Sequence, residues 1–386
     1  MQFKEYLLNV PTFRPPNPAG GGSAPIARLN ANENPLGPSP KAVEAMREVL
    51  PHVNRYSDPG SWPLRRTLGA HFDIAPEQIL CTNGSDEMIY MLCLAFLREG
   101  DEAVMADGSF VSYGMRTMAM GGQPLRVPLR DFVHDLDAMA DAITERTRLI
   151  FLCNPNNPTG TTVDAATVAR FISRVPDDVL IVADEAYIEF AEGADTPDLL
   201  AEVGAGRQNL IVLRTFAKIY GLAGLRLGYA FGSTEVISYL DRARTVFNVN
   251  ALAQAAAPAA LADTEHVARV RAHAATARAR FTEELTALGL QPVPSATNFM
   301  AVKVNGDDGA IAAALLERGI AVNPIGGWGL PGHIRISFGT DEENERFFAA
   351  LREVVQGGTG DGIDRLKHRP MNKQGAARLC TAPRER

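Results

Sequence analysis

Residues 149–187 read LIFLCNPNNPTGTTVDAATVARFISRVPDDVLIVADEAY and contain a complete strand–helix–strand pattern. The two apolar runs, LIFLC at 149–153 and VLIVA at 179–183, are short and carry no alternating polar residue. This is typical of strands that are buried on both faces of a sheet. Between them, residues 164–175 place apolar side chains at helical spacing. Two buried strands joined by a helix predict a parallel sheet with crossover connections.

The same rhythm extends to both sides of this stretch. Further apolar runs are QILC at 78–81, AVMA at 103–106, LIVL at 210–213 and LGYAF at 227–231. A helical pattern at 85–98 follows the first of these runs, with Ser85 as its expected N-cap. We therefore predict an α/β fold with a mostly parallel sheet.

The pattern changes after about residue 249. We predict one or two helices at 252–288, strands at 299–304 and 334–338, and helices at 309–318 and 341–355. This alternation is typical of a smaller α+β domain. We expect an N-terminal arm at 1–45 that contributes to the small domain, a large domain at 46–250, a small domain at 251–356 and a disordered tail at 357–386.

Composition excludes several classes of function. The chain has 386 residues and a formal net charge of −7, without the clustered excess of lysine and arginine that a nucleic acid requires. No apolar stretch reaches the roughly 18 residues of a membrane span, and the N-terminus lacks the pattern of a secretory signal. The four cysteines are scattered and no H-E-x-x-H motif occurs. We expect a cytoplasmic protein with no metal site, no nucleic-acid partner and no membrane partner.

Polar segments follow four of the apolar runs, at residues 82–86, 154–160, 184–187 and 214–226. In an open parallel sheet, ligands bind outside the carboxyl ends of the strands. Each segment could be an ordinary loop, but four of them at one edge of a sheet favour a binding site.

Two charged residues in these segments each allow a structural and a functional interpretation. Asp184 directly follows an apolar strand, where a carboxylate loses its hydration unless it is paired. It is either a helix cap or ion-pair partner, or a counter-ion for a bound cation. Lys218 is either a solvated surface residue or a partly buried amine that can lose its proton and form a Schiff base.

The turn at 83–85 is a candidate anion site, because it opens a helix whose backbone N–H groups can bind a phosphate. Asp86 and Glu87 oppose an anion there on charge grounds, so Arg226 has to offset them.

Three ordered motifs carry a resemblance to a known family: NPTG at 157–160, DEAY at 184–187, and Lys218-x7-Arg226. Together they resemble the fold-type I aminotransferases, whose cofactor is pyridoxal 5′-phosphate (PLP). Four further segments are similar to the histidinol-phosphate aminotransferase branch: LNANENPLG at 29–37, NRY at 54–56, FNVN at 247–250 and LPGHIRIS at 330–337. The resemblance covers roughly residues 25–355 and implies the PLP-transferase fold, with a three-layer α/β/α large domain.

The resemblance also implies residue roles. Lys218 is expected to form the internal aldimine and then to move the α-proton. Asp184 is expected to pair with the pyridine nitrogen, while Asn157 and Tyr187 hydrogen-bond the ring hydroxyl oxygen. The protonated ring then acts as an electron sink for the carbanion that proton removal leaves.

The resemblance implies further cofactor contacts from several segments. Tyr56 is expected to reach the cofactor of a neighbouring subunit, and this implies a homodimer with shared active sites. The remaining residues expected to bind the cofactor are Gly84, Ser85, Asp86, Phe110, Thr215 and Arg226. On the substrate side, Arg335 is expected to clamp a carboxylate or an equivalent polar group with its bidentate fork. The other residues expected to bind substrate are Asn32, Asn323 and Trp328.

Three positions depart from the family pattern. Ala217 stands where a serine commonly donates to the cofactor phosphate. Phe13 stands near the place of an arm tyrosine, and Asn323 stands where an arginine is common. Two groups that grip a phosphorylated substrate are therefore absent from the pattern, which raises an aromatic or other amino acid as an alternative to histidinol phosphate.

We predict an aminotransferase that moves an amino group from an amino donor to a 2-oxo acid acceptor such as 2-oxoglutarate. One alternative is a PLP-dependent decarboxylase or another specialised member of the same fold, since sequence does not show which bond aligns with the ring. Another is a non-enzymatic cofactor-sensing module, which the absence of an N-terminal DNA-binding helix pair disfavours.

Overall fold

The structure is a computed structural model that describes residues 4–11 and 26–357. Phe13 and the predicted tail from residue 358 onward lie outside the described residues. The strands are β1 (Ala27–Arg28), β2 (Ile79–Thr82), β3 (Glu102–Asp107), β4 (Gln123–Pro128), β5 (Thr147–Cys153), β6 (Leu180–Asp184), β7 (Leu210–Thr215), β8 (Gly228–Gly232), β9 (Gln291–Pro292), β10 (Phe299–Lys303), β11 (Ile320–Ala321), β12 (Asn323–Pro324) and β13 (His333–Ser337).

The helices connect these strands and cover them. They are α1 (Pro40–Val49), α2 (Trp62–Phe72), α3 (Ser85–Phe96), α4 (Ser112–Ala119), α5 (Leu136–Asp141), α6 (Ala165–Arg174), α7 (Leu199–Gly204), α8 (Thr234–Asp241), α9 (Ala251–Leu261), α10 (Thr264–Ala287), α11 (Asp308–Glu317) and α12 (Asp341–Gly357). Short 3-10 helices include Glu5–Asn9, Ile188–Phe190, Ala223–Leu225 and Gly326–Trp328. Among the described helices, none is long and apolar enough to cross a membrane.

A seven-stranded sheet forms the centre of the described residues, in the order β2-β8-β7-β6-β5-β3-β4. Its neighbouring strands pair in parallel except around β8, which is antiparallel to both β2 and β7. In β5, Ile150 and Leu152 pack into one buried apolar cluster, while Leu149 and Phe151 pack into another. Because apolar layers cover both faces of the sheet, the predicted three-layer α/β/α fold with a mostly parallel sheet is confirmed.

The later part of the chain builds smaller sheets. β12, β13, β10 and β9 form an antiparallel sheet, and α11 and α12 lie nearby. β1, from the N-terminal segment, pairs in parallel with β11. These two strands form a separate two-stranded sheet, so the N-terminal segment pairs with a strand from the later part of the chain, while the exact domain boundaries stay a prediction.

Two local features differ from the sequence expectations, and a third settles a choice that the sequence left open. β4 was not predicted, because it is a half-exposed edge strand that contains Pro124 and Pro128. The N-cap of α3 is Gly84 at φ 82°, and Ser85 is already the first helical residue. The stretch at 252–288 forms two helices, because Asp263 caps α10 with its side chain and separates it from α9.

The sheet brings the predicted polar segments to one edge. β2, β5, β6 and β7 run in the same direction, so the residues that follow them meet at the carboxyl edge. β8 runs the opposite way and begins at this edge, where Gly228 is in register with Thr82 and Thr215. The reversal places Arg226, just before β8, at the same edge.

Gly228 provides a test of this close packing. A Cβ at residue 228 would lie 2.6 Å from the Gly84 carbonyl carbon and would also overlap the Ser85 nitrogen. Because both are backbone atoms, we expect Gly228→Ala to lower the free energy of unfolding by about 2 kcal/mol. A lower Tm in thermal melts measured by circular dichroism checks this.

Gly232→Ala is the matched control at the other end of β8, where a Cβ would make ordinary contact with Ile211 at 3.5 Å. Equal melting temperatures for the two variants would contradict the packing described here.

Candidate active site

Asp184 is the buried anion of the site. It ends β6 with 4% of its surface exposed, and its two oxygens accept hydrogen bonds from the Tyr113 hydroxyl (2.7 Å) and the Ala186 N–H (3.1 Å). Burial raises the pKa of the carboxyl, while these two hydrogen bonds and the Lys218 charge lower it. The carboxylate is thus held in place by two donors on a sheet edge where a cation can approach.

Lys218 lies in the loop after the neighbouring strand β7. Burial lowers the pKa of its amine to about 8, helped by the positive charges of Arg335 and Arg226. Its Nζ donates to the backbone oxygens of Ala31 (3.2 Å) and Asn32 (3.4 Å). An amine with this pKa is still mostly protonated at neutral pH, but it has a far larger neutral fraction than an ordinary lysine, and that fraction can act as a nucleophile or base.

Tyr187 and Asn32 link the sheet edge to the N-terminal segment. The Lys218 Nζ lies 5.5 Å from the Tyr187 ring centroid, and the Tyr187 hydroxyl accepts a hydrogen bond from Asn32 Nδ2 at 2.9 Å. Asn32 has a left-handed backbone, with φ 54°. The Ser337 hydroxyl fixes it by accepting from its N–H (2.8 Å) and donating to its side-chain oxygen (2.9 Å).

Arg335, in β13, joins the predicted substrate side to the predicted cofactor side. Its guanidinium donates to Asn157 Oδ1 and to the Asn30 carbonyl oxygen, both at 2.6 Å. Burial lowers the pKa of Arg335 to about 10, and its Nε has no hydrogen-bond partner within the described residues. A guanidinium that remains under-satisfied when buried favours an incoming oxyanion.

Two aromatic residues and one amide stand beside this guanidinium. The ring centroid of Trp328 is 5.4 Å from the Arg335 guanidinium carbon and 6.3 Å from the Phe110 ring centroid. Phe110 in turn makes an edge contact with Tyr113 at 5.6 Å. Asn323 is in register with Arg335 across the β12–β13 pair. The structure therefore brings these predicted residues together.

The turn before α3 lets an arginine approach the backbone closely, because Gly84 has no side chain. A Cβ on Gly84 would lie 2.6 Å from a terminal nitrogen of Arg226, which is anchored by donating to the Ala223 carbonyl at 3.0 Å. Ser85 follows as the first helical residue, so the amino end of α3 and one guanidinium face the same position. Both features attract an anion.

Thr215 and Asp86, which were also predicted to bind the cofactor, make other contacts in this structure. The Thr215 hydroxyl donates to the Leu227 carbonyl (3.2 Å) and accepts from the Ala217 N–H (3.0 Å), so it shapes the turn into Lys218. The Asp86 carboxylate binds Ser112 and Arg116 of α4.

Neighbours of the two acidic residues reduce the charge conflict at this turn. Asp86 is neutralised by its ion pair with Arg116, and Glu87 accepts from Asn248 Nδ2 at 2.8 Å. Asp86 thus has a paired cation, whereas Glu87 is held by neutral donors and has no salt-bridge partner in the described part of the chain.

Tyr56 differs from the other predicted site residues, because 83% of its side chain is exposed. Its ring stacks on Phe247 with centroids 4.4 Å apart. The structure does not bring Tyr56 into the buried cluster around Lys218.

Several contributors to the site carry no signal in the sequence. Tyr113 donates to Asp184, and Asn298 donates to the Asn32 carbonyl oxygen at 3.1 Å. Ser337 orders Asn32 as described above. Tyr113 resembles an ordinary buried helix residue. Asn298 directly precedes β10 and Ser337 ends β13, and the sequence did not reveal that these two strands pair.

The donor set fits one kind of ligand. A buried carboxylate suits a cationic ring nitrogen, a desolvated amine suits an aldehyde, and the Gly84–Arg226 cradle suits a phosphate. PLP carries all three groups on one ring.

Comparison with known proteins agrees with this chemistry. The model of the family "Aminotransferase class I and II" matches residues 24–351. The chain belongs to this family. The predicted resemblance is thereby confirmed: the protein is a PLP-dependent aminotransferase whose cofactor is pyridoxal 5′-phosphate.

Among its relatives, the aminotransferase is 42% identical to the histidinol-phosphate aminotransferase of Moorella thermoacetica, over 91% of this chain and 92% of the relative. It is 43% identical to histidinol-phosphate aminotransferase 2 of Pseudomonas aeruginosa, over 91% of this chain and 95% of the relative.

Solved structures show the same fold. The histidinol-phosphate aminotransferase of Sinorhizobium meliloti, in complex with pyridoxal-5′-phosphate, matches with a TM-score of 0.84 and 31% identity, over 92% of this chain and 98% of that one. The aspartate aminotransferase of Thermus thermophilus with maleate matches with a TM-score of 0.76 and 27% identity, over 86% and 92%.

The pKa of Lys218 gives a test on the cofactor-free aminotransferase. We expect the rate at which an acylating reagent labels Lys218 to rise with pH through a midpoint of about 8, because burial disfavours the protonated amine. Peptide mass spectrometry after short labelling pulses measures this rate. The same lysine in the urea-unfolded chain is the control, with a midpoint near ~10.4. Identical midpoints in the two states would refute the desolvation of Lys218.

Proposed function

We propose that this aminotransferase takes the amino group of histidinol phosphate and passes it to 2-oxoglutarate, with Lys218 as the residue that binds PLP covalently. The carrying observation is that Lys218 and Asp184 follow adjacent buried strands, in a chain similar over 91% of its length to a histidinol-phosphate aminotransferase.

The chain's own residues supply binding and proton transfer. When bound, PLP supplies an electron sink for the electron pair left by removal of the α-proton. Asp184 holds a negative charge at a fixed place, where it can pair with the ring nitrogen. Lys218 can take up and return a proton at its Nζ near neutral pH, because its pKa is about 8.

Arg335 can serve both substrates. A guanidinium fork binds a phosphate or a carboxylate, so it can take the phosphate of the donor and a carboxylate of the acceptor in turn. To do so it has to share or exchange its present bonds to Asn157 and the Asn30 carbonyl.

A second candidate donor is an aromatic amino acid. Its support is the neutral Asn323 in register with Arg335, together with the Trp328 ring 5.4 Å from that guanidinium. An amide adds no charge for a phosphate, and an indole offers a flat apolar surface to another ring.

A panel of amino donors separates these candidates. The PLP-loaded protein is mixed with histidinol phosphate, histidine, phenylalanine or tyrosine, and conversion of the cofactor to its amine form is followed by absorbance. We expect the highest kcat/KM with histidinol phosphate and recovery of the aldehyde form on addition of 2-oxoglutarate. Lys218→Ala is the blank and should give no turnover.

Two outcomes would overturn the proposal. Faster conversion by phenylalanine or tyrosine, with histidinol phosphate inert, would assign the aromatic donor instead. Release of carbon dioxide from an amino acid without conversion of the cofactor to its amine form would indicate the decarboxylase alternative.

We further propose a homodimer in which Tyr56 of one subunit completes the site of the other. Tyr56 is 83% exposed and stacks on Phe247, and neighbouring Val53 (58%) and Val246 (73%) are also exposed. Such an apolar patch on a protein surface favours burial against a second copy.

Mixed dimers test the sharing of sites. Tyr56→Ala and Lys218→Ala subunits carrying different affinity tags are co-expressed, and the mixed dimer is purified through both tags. If Tyr56 acts across the interface, one site of each mixed dimer has both defects and the other has neither. We therefore expect about half the activity of the unchanged dimer in a transamination assay.

Each variant purified alone is the control and should be strongly impaired. A mixed dimer no more active than its parents would place Tyr56 in the site of its own subunit, or outside any site.

A further inference from the structure

Tyr113 is held rigidly behind the buried carboxylate of the site. It lies in α4 with no exposed surface, and its ring stacks on Phe151 with centroids 4.6 Å apart and planes 8° apart. A second aromatic contact, edge to face with Phe110 at 5.6 Å, restrains it from the ligand side. With its ring clamped in this way, the hydroxyl can point in few directions.

The Tyr113 hydroxyl is a hydrogen-bond donor to Asp184. It donates to one carboxylate oxygen at 2.7 Å, while the other oxygen accepts from the Ala186 N–H at 3.1 Å. The two donors fix the carboxylate plane from opposite ends and leave lone pairs free for a further donor. Hydrogen bonds to an ionised carboxylate are stronger than those between neutral groups, and more so where water is excluded.

Few other ionisable groups surround the pair. Cys153 of β5 lies beside it, but burial raises the pKa of its thiol to about 12 and keeps it neutral. Tyr187 stays protonated, because burial raises its pKa too. The amine of Lys218, beyond β7, is the cation that acts on Asp184. The Tyr113 hydroxyl is thus the neutral side-chain donor that stabilises the Asp184 charge.

We infer that Tyr113 is a positioning residue of the reaction: its hydroxyl orients Asp184 and keeps it ionised, so that the carboxylate can bind the protonated ring nitrogen of PLP. The inference rests on the proposed pairing of Asp184 with that nitrogen. A merely structural Tyr113 would fill space with its ring and would not need its hydroxyl.

Tyr113→Phe removes the hydroxyl and keeps the stacked ring. We expect the dissociation constant of PLP, measured by fluorescence titration of the cofactor-free protein, to rise about tenfold. In the loaded protein, the ring nitrogen should hold its proton less firmly. The lysine-linked nitrogen should then gain its proton more easily, and the pH midpoint of the cofactor absorbance should move up by about one unit.

The same change in an Asp184→Asn background shows whether Tyr113 acts through Asp184. We expect Tyr113→Phe to alter the PLP affinity less than twofold there, because the carboxylate it serves is gone. Tyr229→Phe is the matched control: this tyrosine is also fully buried in the sheet, and its hydroxyl makes no hydrogen bond to Asp184 in the described part of the chain. The Tyr229→Phe protein should keep both the PLP affinity and the pH midpoint of the cofactor absorbance of the unchanged protein.

The outcomes are distinguishable. If Tyr113→Phe keeps the affinity and midpoint of the unchanged protein, or loses affinity equally in both backgrounds, the hydroxyl has no role through Asp184 and the inference fails alone. If Asp184→Asn itself binds PLP with unchanged affinity and midpoint, the proposed pairing of Asp184 with the ring nitrogen fails, and the inference fails with it. Thermal melts of each variant establish that the fold is retained.

Discussion

A carboxylate buried at the end of a central strand is the constraint on which the site depends. Asp184 sits between two apolar layers, and burial there works against its charge. The protein compensates with a tyrosine hydroxyl from α4, a backbone N–H and a nearby amine. A site built in this way selects a cation, and the same low-dielectric surroundings make Lys218 a weak enough base to release its proton near neutral pH.

The antiparallel direction of β8 is the second feature that determines where the site residues lie. In an all-parallel sheet, the chain would return to the carboxyl edge only after another crossover. Here β8 starts at that edge, so Arg226 reaches the amino end of α3 within a few residues of Lys218. The contact between Gly228 and the backbone of Gly84 and Ser85 then sets how closely the guanidinium and the helix end approach each other.

Much of the central sheet and of the candidate site could be predicted from the sequence. Buried strands are recognisable as apolar runs, and polar residues that directly follow parallel strands lie at one edge of the sheet. Lys218 and Asp184 were found in that way. Tyr113 could not be, since it lies 71 residues from its partner in a helix that looks like core. Asp86 counted against an anion on charge grounds, and the sequence did not show that Arg116, in another helix, pairs with it. The edge strand β4 was missed because its two prolines hide the alternation.

The N-terminal segment determines part of the surroundings of the Lys218 amine. Its backbone oxygens at Ala31 and Asn32 are the acceptors of the Lys218 amine, and the Asn34 side chain grips the Ile219 carbonyl at 3.0 Å. The same segment begins as β1, which pairs with β11 from the later part of the chain in a two-stranded sheet. The Lys218 amine is therefore hydrogen-bonded to a segment that pairs with a strand from the opposite end of the polypeptide, so we expect a displacement of that segment to change the hydration and basicity of the amine.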